Sequence, residues 1–151
     1  TLTEAIGANG MVFGQVLDME AGKLTTVNDL DSISNLQGKK TGALIEWSAQ
    51  VGPVMAKEDN DSLKQYAHFL GLAFQVRDDI LDVEGGVDKV GKKLRKDKTS
   101  GKATFVTLLG LEGAKEQAKQ LIDQAINELE ALPVASNNLK AAAQFVISRD
   151  L

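Results

Sequence analysis

Apolar residues spaced three or four positions apart are the feature of this 151-residue chain that most restricts its fold. Such spacing is typical of helices, and the strict alternation that marks a strand is scarce. Proline, which interrupts helices, occurs only twice, as Pro53 and Pro133. The sequence therefore predicts an all-α protein. Since 151 residues suffice for one domain with a real core, and no repeat or linker divides them, we expect a single domain over residues 1–151.

Turn residues separate the predicted helices. These helices cover about residues 2–19, 29–52, 58–84, 102–109 and 136–149, with a further amphipathic helix before the last of them. One face of the amphipathic helix consists of Ala114, Ala118, Leu121, Ile122, Ala125, Leu129 and Leu132. Gly52-Pro53 is expected to end the second helix, Gly85-Gly86 the third, and Pro133 the amphipathic one.

Composition excludes several classes of protein. The 43% hydrophobic and 25% charged residues are those of an ordinary globular protein, and the apolar runs are too short for a membrane-spanning helix. The net charge of −4 argues against general nucleic-acid binding. Cysteine is absent, which excludes disulfides and thiolate metal sites. Without cysteine or a visible signal peptide, the expected location is the cytoplasm.

An acidic segment in the third predicted helix is the first candidate site. Gln75, Asp78, Asp79 and Asp82 fall at positions i, i+3, i+4 and i+7, within a wedge of about 100°. Apolar residues on both flanks indicate that this wedge lines a cavity, although acidic residues on a helix most often form a solvated face. Carboxylates that share a cavity repel one another unless cations neutralise them, and oxygen ligands at this density suit Mg²⁺. The segment therefore predicts a magnesium site.

Three glycines in the first predicted helix form a second feature. Gly7, Gly10 and Gly14 share one face with Gln15 and Asp18. Each glycine costs a helix about 1 kcal/mol relative to alanine, so the flat face must serve a neighbouring backbone or a ligand. The sequence leaves two interpretations open: close helix packing with an incidental Asp18, or part of a site.

Positive charge follows the acidic segment directly. The cations between residues 88 and 102 are Lys89, Lys92, Lys93, Arg95, Lys96, Lys98 and Lys102. A polyanion such as a diphosphate, held between metal ions and lysines, would explain this concentration, while an ordinary solvated loop is the alternative. Lys39-Lys40-Thr41 offers further cations and a hydroxyl group.

In their order along the chain, these motifs resemble those of the trans-isoprenyl diphosphate synthases, and most of all the short-chain class that includes the bacterial farnesyl diphosphate synthases. The resemblance rests on Gly14-Gln15-Val16-Leu17-Asp18, Lys40-Thr41-Gly42-Ala43-Leu44, residues 71–82, Gly91-Lys92, Asp97 and Gly101-Lys102. It covers essentially the whole chain. It implies the second, carboxyl-terminal half of the family's all-α isoprenoid synthase bundle.

The resemblance assigns roles to the acidic residues. Asp78 and Asp79 are similar to the anchor of one Mg²⁺ ion in the family's second aspartate-rich motif, which Asp82 completes. Asp18 resembles a further acidic position near the metal ions. Mg²⁺ is therefore the implied cofactor.

The resemblance also implies a reaction. Lys40, Lys92 and Lys102 resemble the lysines that grip the allylic diphosphate, and Thr41 and Gln75 resemble residues whose oxygens stabilise a carbocation beside the reacting carbon. The implied reaction joins isopentenyl diphosphate to an allylic diphosphate (dimethylallyl or geranyl), which forms farnesyl diphosphate and releases diphosphate. Stabilisation of the leaving group is the main catalytic effect. The family resemblance further implies a homodimer.

The chain departs from the family in one large respect. Family members carry a first aspartate-rich motif, followed by arginines, in the half that would precede Thr1, and Asp18 lies too early to belong to it. Because the chain also begins without Met, we expect a fragment or a processed chain that is inactive unless another chain supplies the missing half. The residues that set product length in the family would precede Thr1 as well.

Other functions stay open at the level of sequence. A non-catalytic partner that regulates a full-length synthase would share the fold, but it need not retain Asp78, Asp79, Lys92 and Lys102. A small helical interaction domain with an unrelated acidic face would not explain the ordered motifs. A terpene cyclase fits less well than chain elongation, because the lysine-rich loop and the Gly-Gln-x-x-Asp pattern favour elongation.

Overall fold

The computed structural model describes residues 1–21, 29–58, 60–88, 103–132 and 136–150. The helices are α1 (Leu2–Ile6), α2 (Met11–Ala21), α3 (Leu30–Gln37), α4 (Ala43–Ala56), α5 (Asp61–Asp88), α6 (Phe105–Glu130) and α7 (Asn137–Ser148). A π-helical turn, Gly38–Gly42, joins α3 to α4. These stretches contain no strand, and the predicted all-α fold is confirmed. None of their helices is both long enough and apolar enough to cross a membrane.

The core lies between α5 and α6, which form the most extensive helix pair among the described elements. Besides Phe105, the buried residues of α6 are Ala114, Ala118, Leu121, Ile122, Ala125 and Leu129. This is the face expected from the sequence, except that Leu132 follows the end of the helix and is only partly buried. Alanines on both helices let the two backbones approach closely, and the fully buried Ile80 and Ile122 fill the remaining space. Ala143 and Val146 of α7 and Ile33 of α3 complete this core.

The start of α6 is set by a side-chain cap. Thr104 accepts a hydrogen bond from the Thr107 N–H (3.1 Å), and the Thr107 hydroxyl accepts one from the Thr104 N–H (2.7 Å). This reciprocal capping satisfies two backbone donors at the helix start, so α6 begins at Phe105, not at residue 102. Gly110, at φ 73° and ψ 166°, then kinks α6. The kink agrees with the expected change from a short helix to an amphipathic one.

Two expected helix ends are wrong. The second predicted helix continues through Pro53 to Ala56 and ends at Lys57, whose left-handed backbone (φ 59°, ψ 34°) stops it. The N–H groups of Lys57 and Glu58 donate to the carbonyls of Val54 (3.1 Å) and Pro53 (3.0 Å), so this cap satisfies the last turn. Similarly, α5 passes through Gly85-Gly86 to Asp88 because glycine weakens a helix without preventing it.

The first predicted helix is divided into α1 and α2. A Cβ atom on Gly10 would lie 1.9 Å from the carbonyl oxygen of Ala5, and one on Gly7 would lie 2.5 Å from that of Thr3. No residue with a side chain fits either position without movement of the backbone. Two of the three glycines on the predicted face therefore serve the turn between α1 and α2.

Gly14 serves a different purpose, because α2 meets the π-helical turn there. A Cβ atom on Gly14 would lie 2.3 Å from the backbone nitrogen of Lys40 and 2.4 Å from its Cα. The same turn approaches α5, where a Cβ atom on Gly71 would lie 3.2 Å from the Cα of Gly42. Backbone therefore packs closely from α2 through the π-helical turn to α5. For Gly14, the packing interpretation holds.

We expect Gly14→Ala to lower the free energy of unfolding by about 1–3 kcal/mol, because the added methyl group overlaps the Lys40 backbone. Gly52→Ala is the matched control, since nothing lies within 4 Å of its added Cβ. That control should raise the free energy of unfolding by about 0.5–1 kcal/mol. Urea denaturation measures both, and a Gly14→Ala variant as stable as Gly52→Ala would contradict the close contact.

Candidate functional site

The acidic segment lies in the second half of α5, where Asp79 is its buried member. Only 9% of Asp79 is exposed. Its Oδ2 accepts a hydrogen bond from the backbone N–H of Phe105 (2.9 Å), and its Oδ1 accepts one from Nε2 of Gln75 (3.3 Å). Phe105 is the first residue of α6, so the carboxylate meets the positive end of that helix dipole. Asp79 thus connects the acidic segment to the start of α6.

Burial raises the pKa of Asp79 above its ordinary value, because the interior disfavours the charged form. The hydrogen bonds from Phe105 and Gln75 act in the opposite direction, while the neighbouring Asp82 and Asp78 raise the pKa further. The segment is therefore an electrostatically costly cluster. A bound cation would reduce that cost.

Asp78 and Asp82 have different surroundings from Asp79. The Asp78 side chain is 39% exposed and forms an ion pair with Arg149, which lies directly after α7. Asp82 is exposed. The three carboxylates expected to face one cavity therefore have different surroundings: Asp79 accepts from the start of α6, Asp78 pairs with Arg149 after α7, and Asp82 lies at an exposed position.

The donor set fits Mg²⁺ in one specific way. Among the described residues, no three Asp, Glu or His side chains converge closely enough to hold a metal ion. Mg²⁺ does not require such a cage, since it keeps several waters and binds through one or two carboxylates plus substrate phosphates. Asp78 and Asp82 stand four residues apart on α5, so their side chains neighbour each other on the helix surface. They are suited to such a shared site.

A second group of expected site residues lies where α2 meets the π-helical turn. Nζ of Lys40 is 3.2 Å from Oδ2 of Asp18, and both side chains are largely buried, at 28% and 22% exposure. π-Helical turns often occur at functional sites, since the extra residue changes which side chains face a neighbour. The structure therefore pairs Asp18, expected near metal ions, with Lys40, expected to bind diphosphate.

Thr41 and Gln75 lie on two elements that approach each other closely. Thr41 precedes Gly42, which contacts Gly71 of α5, and Gln75 follows Gly71 by one helical turn. Gln75 donates to Asp79 through Nε2, which orients its amide group. The fold therefore brings the segments that carry the expected carbocation-stabilising oxygens to the same side of α5. The other expected diphosphate ligands, Lys92 and Lys102, lie outside the described residues.

The sequence did not indicate Arg149 as part of this site. It is 71 residues from Asp78, and no spacing rule relates positions so far apart. A second polar pair was also missed: Nδ1 of His68 is 3.1 Å from Oε1 of Glu46, beside a cavity of about 330 Å³. Neither residue of that pair had a pattern that distinguished it from ordinary helix-surface positions.

Comparison with known proteins identifies the family. The family model described as "Polyprenyl synthetase" matches residues 2–141, which is most of the chain. The chain belongs to the polyprenyl synthetase family. It is 39% identical to a farnesyl diphosphate synthase of Haemophilus influenzae over 98% of this chain and 51% of that protein. It is 40% identical to a farnesyl diphosphate synthase of Escherichia coli over 99% of this chain and 52% of that protein.

Solved structures of polyprenyl synthetase relatives agree with the fold. An FPP/GFPP synthase from Zymomonas mobilis superimposes with a TM-score of 0.81 at 40% identity, over 96% of this chain and 48% of that one. The chain therefore spans about half the length of the relatives that it matches. A geranylgeranyl pyrophosphate synthase of Arabidopsis thaliana is 36% identical, so similarity to this chain extends across relatives named for different products.

We expect Asp79→Ala to lower the free energy of unfolding by about 1–3 kcal/mol, because it leaves the buried Phe105 N–H without its acceptor. Asp79→Asn retains an acceptor oxygen and removes the desolvated charge, so its stability should be closer to that of the unaltered protein. Asp123→Ala, at an exposed position on α6, is the control and should change the free energy of unfolding by less than about 0.5 kcal/mol. Urea denaturation measures the free energy of unfolding of each variant. Equal decreases for Asp79→Ala and Asp123→Ala would show that the hydrogen bond between Asp79 and α6 contributes nothing to stability.

Proposed function

We propose that this protein is a short-chain prenyltransferase that condenses isopentenyl diphosphate with dimethylallyl or geranyl diphosphate, giving farnesyl diphosphate and free diphosphate. The observation that carries the proposal is the acidic segment on α5. It lies on a partly buried helix face, in a chain 39% and 40% identical to two farnesyl diphosphate synthases. Carboxylates, lysines and polar oxygens on neighbouring elements are the groups that such chemistry requires.

In this proposal, Asp78, Asp79 and Asp82, together with Asp18, form the protein's contribution to a Mg²⁺ site. Asp78 and Asp82 offer the more accessible oxygens, while both oxygens of Asp79 already accept hydrogen bonds. Asp79 therefore adds negative charge and holds Gln75 and α6 in place. When bound, Mg²⁺ would stabilise the charge that develops on the leaving diphosphate.

The side chains of this protein have separate tasks in the proposed reaction. The allylic carbon–oxygen bond breaks, and the electron pair leaves with diphosphate, which Lys40 binds while Asp18 holds the ammonium group in position. The oxygens of Thr41 and Gln75 stabilise the allylic cation. The double bond of isopentenyl diphosphate then attacks the cation, and a proton passes from the new cation to the released diphosphate, which completes the longer chain. Lys92 and Lys102 are proposed as further diphosphate ligands.

Complete activity requires more than this chain supplies. The 151 residues contain one acidic cluster of the pattern Asp-Asp-x-x-Asp, and relatives about twice as long are synthases. We therefore propose that this chain corresponds to the carboxyl-terminal half of the fold and that a first aspartate-rich motif comes from additional polypeptide. A regulatory, non-catalytic partner of a full-length synthase is the alternative. The retained Asp78 and Asp79 disfavour it, because a regulator does not need them.

The proposal also includes a cytoplasmic homodimer. An apolar row on α2 is exposed and consists of Val12, Phe13, Val16 and Met19. Exposed apolar rows of this kind are typical of surfaces that another polypeptide covers. This row therefore supports association with a further polypeptide surface.

The metal site can be tested by thermal denaturation with inorganic diphosphate. Diphosphate and Mg²⁺ together should raise Tm by several degrees, because a ligand at about 100 times its Kd stabilises a protein by about 2.7 kcal/mol. Diphosphate without Mg²⁺ should have little effect. The double variant Asp78→Asn/Asp82→Asn should lose the shift, and the exposed control Asp123→Asn should keep it. Equal shifts with and without Mg²⁺ would contradict the proposed site.

The catalytic proposal can be tested with isopentenyl and geranyl diphosphates in the presence of Mg²⁺. The chain alone should form no farnesyl diphosphate, and addition of a polypeptide that supplies the preceding half of the fold should restore synthesis. Lys40→Ala should then lower kcat by about 10²–10³-fold, as expected for loss of one stabilising group. Turnover by the chain alone would contradict the need for a second half. A changed rate of a full-length synthase, with no synthesis by the reconstituted halves, would favour the regulatory alternative.

A further inference from the structure

The end of the chain is attached to the acidic segment through Arg149. This residue directly follows α7, and its guanidinium group lies over the Phe74 ring, 4.0 Å from the centroid. Its Nη2 donates to the carbonyl oxygen of Phe74 (3.3 Å) and to Oδ1 of Asp78. In return, Nη2 of Arg77 donates to the carbonyl oxygen of Arg149 (2.8 Å). Contacts with three residues on about one turn of α5, Phe74, Arg77 and Asp78, therefore join the end of α7 to that helix.

These contacts are largely buried and hold both arginines in defined positions, unlike an ion pair on the protein surface. The Arg149 and Arg77 side chains are only 19% and 15% exposed, and the Nε atom of each is buried without a partner. Ordering two arginines in this way has an energetic cost, which the stacking on Phe74 and the reciprocal bonds offset. Arg77 is itself oriented by Glu84, with 3.6 Å between Nη1 and Oε2. The position of the Arg149 guanidinium is therefore determined from several sides.

We propose that Arg149 is a positioning residue for Asp78: it holds that carboxylate in one orientation and thereby raises the affinity of the acidic segment for Mg²⁺ with diphosphate. The inference rests on the proposed function of the segment as a metal–diphosphate site. A carboxylate has two oxygens with several acceptor positions, so one oxygen accepts from arginine while the other serves a cation. Partners of this kind orient the ligands of metal sites, and their loss commonly reduces metal affinity by roughly 10- to 100-fold.

Two other roles for Arg149 predict different behaviour. If it competed with the cation for Asp78, its removal would strengthen Mg²⁺ binding. If it bound diphosphate directly, its removal would weaken diphosphate binding even when Mg²⁺ is saturating. If Arg149 positions Asp78, its removal should raise the Mg²⁺ concentration that is needed and leave diphosphate binding at saturating Mg²⁺ nearly unchanged. The contacts with Phe74 and Arg77 favour positioning, because they tie the arginine to α5 and restrict its reach.

The first measurement needs no metal. In thermal denaturation with EDTA, Arg149→Met and Asp78→Asn should each lower Tm, and the double variant should lose less than the sum of the two. Lys140→Met is the matched control, since Lys140 is a cation on α7 that pairs with Glu130 at 3.5 Å. Combined with Asp78→Asn, this control should be additive. Additive losses for Arg149→Met and Asp78→Asn would overturn the coupling and with it the proposal.

The second measurement titrates Mg²⁺ at fixed inorganic diphosphate and follows Tm. For Arg149→Met, the Mg²⁺ concentration at half-saturation should rise by roughly 10- to 100-fold. At saturating Mg²⁺, the diphosphate affinity of Arg149→Met should return close to that of the unaltered protein. The Mg²⁺ half-saturation of Arg149→Lys should lie between those of the unaltered protein and Arg149→Met, because lysine keeps the charge without the planar contacts. An unchanged or lower half-saturation, or a loss that persists at saturating Mg²⁺, would overturn positioning.

The two measurements separate this inference from the proposed function. If the unaltered protein shows no Mg²⁺-dependent response to diphosphate, the metal–diphosphate function fails, and the positioning role fails with it. If that response is present and Arg149→Met leaves it unchanged, only the role of Arg149 fails.

Discussion

The contact between α5 and α6 is the constraint on which the rest of the structure depends. Its alanine-rich seam brings two long backbones together and buries Ile80 and Ile122 between them. The buried carboxylate of Asp79 lies at one end of this contact and bonds to the first N–H of α6. Because that bond joins the acidic segment to the core, the direction in which each neighbouring carboxylate points follows from helix packing. The geometry of the candidate site therefore depends on the packing of α5 against α6.

A second contact, in which the π-helical turn packs between α2 and α5, positions the lysine of the candidate site, Lys40. Backbone packs on backbone from Gly14 of α2 to the π-helical turn, and from Gly42 of that turn to Gly71 of α5. Such packing leaves no side-chain layer that could tilt or slide. The pair of Lys40 and Asp18 is therefore held at a defined position relative to α5. Helical glycines are costly, and their use here is explained by the accuracy of placement that they allow.

Elements whose form is determined by a local sequence pattern agree with the prediction. The buried face of α6 and the break at Gly110 follow from periodicity and from a glycine, and the structure agrees with both. The predicted boundaries at Pro53 and across the first helix are wrong, because a left-handed cap at Lys57 and a steric contact at Gly10 determine where those helices end. Helical spacing placed Asp78 and Asp79 on one wedge. It did not reveal that neighbours from α6 and from the chain's end draw the two apart.

Adjacent aspartates on a helix point about 100° apart, which makes it difficult for both to serve one cation equally. Here that divergence has a structural use. Asp79 is directed into the core, where the start of α6 receives it, and its neighbour Asp78 stays near the surface, where Arg149 orients it. Asp82, one turn beyond Asp78, then completes a pair of accessible carboxylates on one side of α5. Packing therefore accounts for part of this motif of two adjacent aspartates followed by a third: Asp79 secures the helix contact, while Asp78 and Asp82 lie nearer the surface.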